Sequence, residues 1–195
     1  MPWEFYDTFD ENDRRRALAQ AEYTSKSGAT IDLRASGDVG ALPLKYGIDP
    51  EATGTWAGND KVLDRYAEVL LFKAEALNEL KGEPEYTEAA DNTTYHVLYN
   101  PEEIMYYFNM IRYRAGLPGI TLADASDQVK MRQLIIRERM IEFACEGRRY
   151  HDLRRWGLAE TEENKPVQGM DVTKKTTERD QFYTCLLYTS DAADE

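Results

Sequence analysis

Glu138, Glu142 and Glu146 follow one another at four-residue intervals in RERMIEFACEGRRYHDLRRW, the stretch of the chain densest in chemical groups. On a helix this spacing sets all three carboxylates on one face, about 5–6 Å apart at Cβ. Two carboxyls so placed approach the separation used by retaining glycosidases. A general acid, however, needs a pKa raised by an apolar pocket or an unopposed like charge. Arg139, Arg148, Arg149, Arg154 and Arg155 crowd the same stretch and push carboxyl pKa values down. Like charges at this spacing also cost roughly 0.2–0.5 kcal/mol per pair on an isolated helix, so something must offset them. Both facts favour a partly buried structural network between these glutamates and the arginines Arg139, Arg148, Arg149, Arg154 and Arg155 that fixes how the last two helices dock. Gly147 permits the sharp turn that would fold the Arg-bearing segment back along the Glu face. An anion-binding arginine cluster is the weaker alternative, because Glu is in surplus nearby.

The remaining polar residues offer no better constellation. His96 lies in a polar loop and His151 among arginines, with no Cys or His at ligand spacing, so no metal site is expected. Cys145 reads as a small packed residue on the helix between Ala144 and Glu146. There is no phosphate-cradling glycine loop, serine nucleophile elbow or Cys–His arrangement. The expectation is a protein without catalytic residues and without a cofactor. Loop aromatics remain as binding candidates. Trp3, Tyr6, Tyr46 and Trp56 fall where rings can stack on sugars, with core packing as the alternative account. Tyr95, Tyr99, Tyr106 and Tyr107 flank a helix and can equally face a protein partner.

Elements must position these groups, and the chain divides by texture. Residues 1–60 are irregular and loop-rich, punctuated by Gly28, Gly37, Gly40, Pro43, Gly47, Pro50, Gly54 and Gly58. From residue 61 to 184 the texture is helical. Leu63, Tyr66, Ala67, Leu70, Ala74 and Leu77 mark one amphipathic stripe over 61–81, capped by Asn59 or Asp60 and stopped by Gly82. Pro101 opens a second helix, with Glu102 and Glu103 at its positive end, which Gly116 and Pro118 terminate. A third helix starts near Ser126, with Thr121 as a possible earlier cap, and runs to Gly147. A fourth covers roughly Tyr150 to Trp156. The first two can form a tetratricopeptide-like helix pair, although the loop between them is long for a standard repeat and no second copy is detectable.

The chain has 195 residues, 42% hydrophobic and 31% charged, with 24 Lys and Arg against 36 Asp and Glu for a formal charge of −12. That balance argues against a general nucleic-acid binder, which needs basic surface. A mean hydropathy of −0.66 and the lack of a long apolar run exclude a transmembrane helix. Thirteen Tyr, six Phe and three Trp are too many for a disordered acidic tail. The start shows neither a basic nor an apolar signal-peptide region. Residues 185–195, CLLYTSDAADE, resemble an in-frame translation of a sequencing-library adapter, and are expected to be read-through. Without them the balance is 24 basic to 33 acidic residues, a charge of −9, and Cys145 is the sole cysteine. Both termini are expected to be cut from a longer protein.

Three ordered segments carry a family resemblance. DRYAEVLLFKAEALNEL (64–80) is similar to a RYAEVLLxxAEALNE helix, FNMIRYRAGLPG (108–119) to an NxIRxRAGLP helix end, and IRERMIEFACEGRRYHDLRRWG (136–157) to ERRxELAFEGxRxxDLRRW. Together they resemble the C-terminal region of the SusD/RagB family of outer-membrane lipoproteins, over about residues 60–157. Weaker likeness lies at 6–15 and 42–46. The resemblance implies a mostly α-helical, SusD-like fold, with tetratricopeptide-like helix pairs on one side and an irregular ligand-binding side. It implies a non-enzymatic, surface-exposed outer-membrane protein that binds oligosaccharide or another nutrient and passes it to a TonB-dependent, SusC-like transporter. Membrane attachment would come only through an N-terminal lipid anchor that this sequence does not contain. Glu138, Arg139, Glu142, Glu146 and Arg149 match motif positions that look architectural, and no binding residue transfers. The rivals are a tetratricopeptide-like interaction scaffold and a glycosidase using the Glu138/Glu142/Glu146 ladder.

Overall fold

Good helix formers dominate YAEVLLFKAEALNE, and this stretch is α2, Tyr66–Glu79, in the computed structural model of the protein. The structure describes residues 1–38, 40–45, 62–81, 85–87, 90, 94–96, 99–163, 168–170 and 183–185. Over these the chain is mostly α-helical with a few two-stranded ribbons. Contacts divide it into two units: 1–10, 16–47 and 144–195 in the first, 11–15 and 48–143 in the second.

Among the described residues the second unit is built on four helices. α3, Pro101–Arg114, starts where Asn100 accepts from the backbone N–H groups of Glu102 and Glu103 at 3.0 and 3.2 Å, with Pro101 in its first turn. Arg112 and Arg114 suit the negative end of its dipole. Gly116 then takes φ 80°, which lets its N–H reach Tyr113 and the N–H of Leu117 reach Arg112, a Schellman closure. α2 and α3 run antiparallel, since Lys81 sits over the Tyr99 ring at one end while Lys73 reaches Glu103 and Tyr107 further along.

The turn after α3 is held by side chains, which explains the residues of FNMIRYRAGLPG. Asn109, 5% exposed, donates to the Ile120 carbonyl at 3.1 Å and accepts from its N–H at 2.7 Å, as a strand partner would. Arg112 Nε donates to the Pro118 carbonyl at 2.7 Å. A Cβ on Gly119 would lie 2.7 Å from Asn109 Nδ2, so the close approach excludes larger residues.

One helix was expected from Ser126 to Gly147, and the structure holds a short helix ending at Ser126 and a second from Gln128 that stops at Glu142. Thr121 and Asp124 form a reciprocal capping box on α4, Leu122–Ser126. Asp127 then caps α5, Gln128–Glu142, through the N–H groups of Val129 and Lys130. The other limits also differ: Arg65, and neither Asn59 nor Asp60, is the residue preceding α2. The core of this unit joins Leu70, Leu71 and Ala74 of α2, Ile104, Phe108 and Ile111 of α3, Ala125 of α4, Met131 and Ile135 of α5, and Phe143.

The first unit has a small core of Trp3, Ala19, Leu33 and Ala41. Trp3 lies in α1, Trp3–Tyr6, and its indole N–H donates to the Asp38 carbonyl at 2.7 Å. Around it are the ribbons β1–β4 (Ala19–Gln20 with Leu42–Pro43) and β2–β3 (Glu22–Thr24 with Thr30–Asp32), both antiparallel. Gly40 bridges Pro2 so closely that a Cβ would meet the Met1 carbonyl oxygen at 2.0 Å. α6, Arg148–Arg155, and α7, Ala159–Glu163, belong to the same unit. The ribbon β5–β6 (Glu85–Thr87 with Thr94–His96) falls in the second unit and β7–β8 (Gln168–Met170 with Tyr183–Cys185) in the first.

Candidate functional site

Glu138 and Glu142 point the same way from α5, and both are 3% exposed. Their charges are met by guanidiniums that approach from distant parts of the chain. Arg15 Nη1 donates to Glu138 Oε1 at 2.7 Å and to Glu142 Oε2 at 2.8 Å, bridging the pair. The rest of the Arg15 fork lies on Asp13, Nε to Oδ1 at 2.9 Å and Nη2 to Oδ2 at 2.7 Å. Arg112 Nη1 donates to Glu138 Oε2 at 3.2 Å, and Arg114 Nη2 to Glu142 Oε1 at 2.5 Å. Arg65 donates to Glu142 twice, from Nη1 to the carboxylate and from Nη2 to the main-chain carbonyl at 2.7 Å.

The backbone explains how these arginines arrive. The N–H of Arg14 donates to the Ala115 carbonyl at 2.9 Å, which seats the 11–15 segment at the end of α3. Arg112 and Arg114 leave the last turn of that same helix. Arg65 stands at the threshold of α2, with its guanidinium 4.6 Å over the Phe143 ring. Arg139, 1% exposed, pairs with Glu68 at 3.5 Å and stacks on Phe72 and Phe143 at 4.4 and 4.9 Å.

The electrostatics follow from this geometry. Burial, the largest single influence on Glu142, pushes its carboxyl up, but hydrogen bonds from Arg114, Arg65 and Arg15 together outweigh it and hold it down at about 2. Burial likewise works to lower the Arg15 pKa, and the hydrogen bonds and charges of Asp13, Glu138 and Glu142 reverse it, leaving it raised. Glu142 is therefore fixed as an anion. It cannot carry the exchangeable proton that a general acid needs at neutral pH.

The three-carboxylate face does not form. α5 ends at Glu142, and Cys145 takes φ 65° and Gly147 φ 75° in the turn that follows. Glu146 consequently leaves the Glu138–Glu142 face and pairs with Lys45, whose Nζ also donates to the Ala144 carbonyl at 3.2 Å. Cys145 is exposed in this turn, where a packed helical position was expected. The charges that meet Glu138 and Glu142 come from Arg15, Arg65, Arg112 and Arg114, which are far away in sequence. Arg155 instead joins Asp152 at 2.9 Å. Arg149 Nη1 is buried and has no hydrogen-bond partner among the described residues.

The aromatic candidates separate sharply. Trp3 is 2% exposed, stacked edge-on against Tyr6 and covered by the Arg34 guanidinium at 4.4 Å, so it presents no free face to a sugar. Tyr6 is half-buried beneath Arg16 at 4.7 Å. Tyr46 and Trp56 lie outside the described residues, as does the side chain of Tyr95. Tyr99 is anchored by its hydroxyl to the Ala125 carbonyl at 3.0 Å. Tyr106 is 60% exposed on α3, packed edge-on with Tyr107. Among the described residues no group of three His, Cys, Asp or Glu could hold a metal ion.

Helix pair, capped turn and arginine-bound α5 together define a class of mostly helical proteins, and comparison names it. The SusD family matches residues 3–185, and the chain belongs to that family. SusD-like protein P2 of Formosa agariphila is 30% identical over 168 residues, covering 78% of this chain and 30% of that protein. SusD-like protein P38 of the same organism is 35% identical over 132 residues, covering 65% of this chain and 22% of its own. The solved structure of BT4246 shares the fold with a TM-score of 0.54 at 23% identity, over 85% of this chain and 29% of the other. The chain thus spans less than a third of the length of the curated relatives it matches.

Proposed function

We propose that the chain is part of a surface-exposed outer-membrane protein that binds oligosaccharide or another nutrient and hands it to a TonB-dependent, SusC-like transporter. The observation that carries this reading is membership of the SusD family across residues 3–185, a family whose members are generally glycan-binding outer-membrane proteins. Capture and delivery require no bond making. The arginine-held Glu142 supports that, because the best-placed carboxylate pair is committed to holding helices together. Attachment to the membrane through an N-terminal lipid fits a chain in which no helix among the described residues is long and apolar enough to cross a bilayer.

Sugar recognition would combine ring stacking with hydrogen bonds in a shallow pocket. Tyr6, Tyr46 and Trp56 are the aromatics we propose for that stacking role. The test is calorimetric titration of the purified protein with a panel of polysaccharides, followed by co-purification with a SusC-like transporter. Saturable binding to a glycan without cleavage is expected. Turnover of the glycan, lost in Glu142→Gln, would replace this reading with a glycosidase. Binding of peptides alone would replace it with a tetratricopeptide-like scaffold.

A further inference from the structure

Glutamate is in surplus in the sequence around α6, but the fold commits it elsewhere. Glu138 and Glu142 are held by Arg15, Arg65, Arg112 and Arg114, and Glu146 pairs with Lys45. α6 itself carries four arginines against one aspartate within eight residues, in a chain whose formal charge is −12. Asp152 and Leu153 form its buried side, and Asp152 is taken by Arg155. Tyr150, His151 and Arg154 are exposed, and steps of three and four residues set them on one face.

Arg154 is held in place with half of its donors free. Its Nη1 donates to the Tyr150 hydroxyl oxygen at 2.6 Å, and the guanidinium lies 5.4 Å from the centre of that ring. His151 packs edge-on against the same ring at 5.5 Å. Nε and Nη2 of Arg154 have no acceptor among the described residues. Those two nitrogens form the edge of a guanidinium that takes a carboxylate side-on, through two parallel hydrogen bonds. Arg34, Arg132 and Arg155, also at the surface, each already meet a carboxylate. Glu160 and Glu162 of α7 follow in the chain, but neither pairs with Arg154 among the described residues.

A ligand for this face must bring acceptors and negative charge. A neutral sugar needs acceptors as well as donors for its hydroxyls, and the face offers it no carboxylate. The Tyr150 ring, 51% exposed and one helical turn from Arg154, gives a sugar ring a surface to stack on. A flat anionic membrane would bring the acidic remainder of the chain within the screening length of about 8 Å, whereas a single polysaccharide strand meets α6 alone. We infer that the Tyr150–His151–Arg154 face of α6 is a subsite for an acidic sugar, a uronate residue of a polysaccharide. Arg154 clasps the carboxylate and Tyr150 stacks on the ring. This assignment rests on the glycan-capture reading and names the class of glycan.

The test is calorimetric titration of the 195-residue chain with oligosaccharides of galacturonate, glucuronate and mannuronate, each also as its methyl ester. Neutral polysaccharides, a sulfated dextran and anionic phospholipid vesicles complete the set. At least one acid should bind saturably and at least tenfold more tightly than its ester, which keeps the rings and loses the charge. Arg154→Gln should weaken that binding at least tenfold while the melting midpoint stays within about a degree. Arg154→Lys should restore only a minor part of it, because an ammonium keeps the charge without the fork. Tyr150→Ala should weaken it severalfold. Equal binding of acid and ester, or a silent Arg154→Gln, would overturn the inference. So would tighter binding of sulfated dextran or of vesicles, lost in Arg154→Gln, which would assign the face to polyanions at large or to a lipid surface. Binding of neutral polysaccharides without any uronate would remove the subsite and leave glycan capture standing. A folded chain that binds no member of the set would remove both.

Discussion

Replacing Glu142 with glutamine keeps the side chain's size but removes the charge that Arg15, Arg65 and Arg114 share. Breaking a buried pair from one side strands the other charges, so Glu142→Ala and Glu142→Gln should each cost more than about 2 kcal/mol in urea unfolding. A difference inside the error of that measurement would mean the arginines find water instead. The pH dependence has a definite direction. A carboxyl held at about 2 when folded, against an ordinary 4.5, stabilises the fold fully above pH 4.5 and loses that contribution as pH falls toward 2. That contribution amounts to about 3 kcal/mol. The stability gap between the native chain and Glu142→Gln should therefore close across pH 4.5 to 2 and stay constant above it. A gap that persists unchanged at pH 2 would contradict a charge contribution that titrates in this window.

At the scale of elements, caps and turns decide where helices stop, and these were only partly readable. Asn100 and Pro101 announce the start of α3 by local chemistry, and Gly116 its end, because each acts within four residues. Asn100→Ala should cost about 0.5–2 kcal/mol in a thermal melt. Gly119→Ala tests the less obvious device. Its Cβ would lie within 2.8 Å of the Asn109 amide, which is held by both of its Ile120 hydrogen bonds, so either those bonds or the turn must give. A loss of about 1–3 kcal/mol is expected. A fully stable Gly119→Ala with intact protection of the Ile120 amide would contradict the assignment. By contrast, the end of α5 was misjudged. Nothing local marks Cys145 as a left-handed residue, yet its φ of 65° takes Glu146 off the carboxylate face. The arginine partners were equally hidden, because Arg15 lies 123 residues from Glu138 and such a pairing leaves no periodic trace in the sequence.

At the scale of the whole molecule, helices α2 and α3 were legible because their apolar stripes repeat every three or four residues, although Leu63 and Tyr66, read into the α2 stripe, are 71% and 67% exposed. The core around Trp3 was not, since Ala19, Leu33 and Ala41 reach it from separate short segments without a period. The same tryptophan could be assigned to a ligand or to a core, and folding and binding measurements separate the two. Trp3 buries its ring, donates to Asp38 at 2.7 Å and supports Tyr6 and Arg34, so Trp3→Ala should cost about 3–5 kcal/mol of stability. Affinity for a glycan, corrected for the folded fraction, should remain within twofold. Trp56→Ala should do the reverse if the proposed stacking role is correct, weakening glycan binding at least tenfold with little change in melting. Equilibrium unfolding and calorimetry on the same preparations read both quantities. Should Trp3→Ala abolish binding while its fold survives intact, the indole would have to leave its pocket to meet the sugar, and the first unit would open on binding.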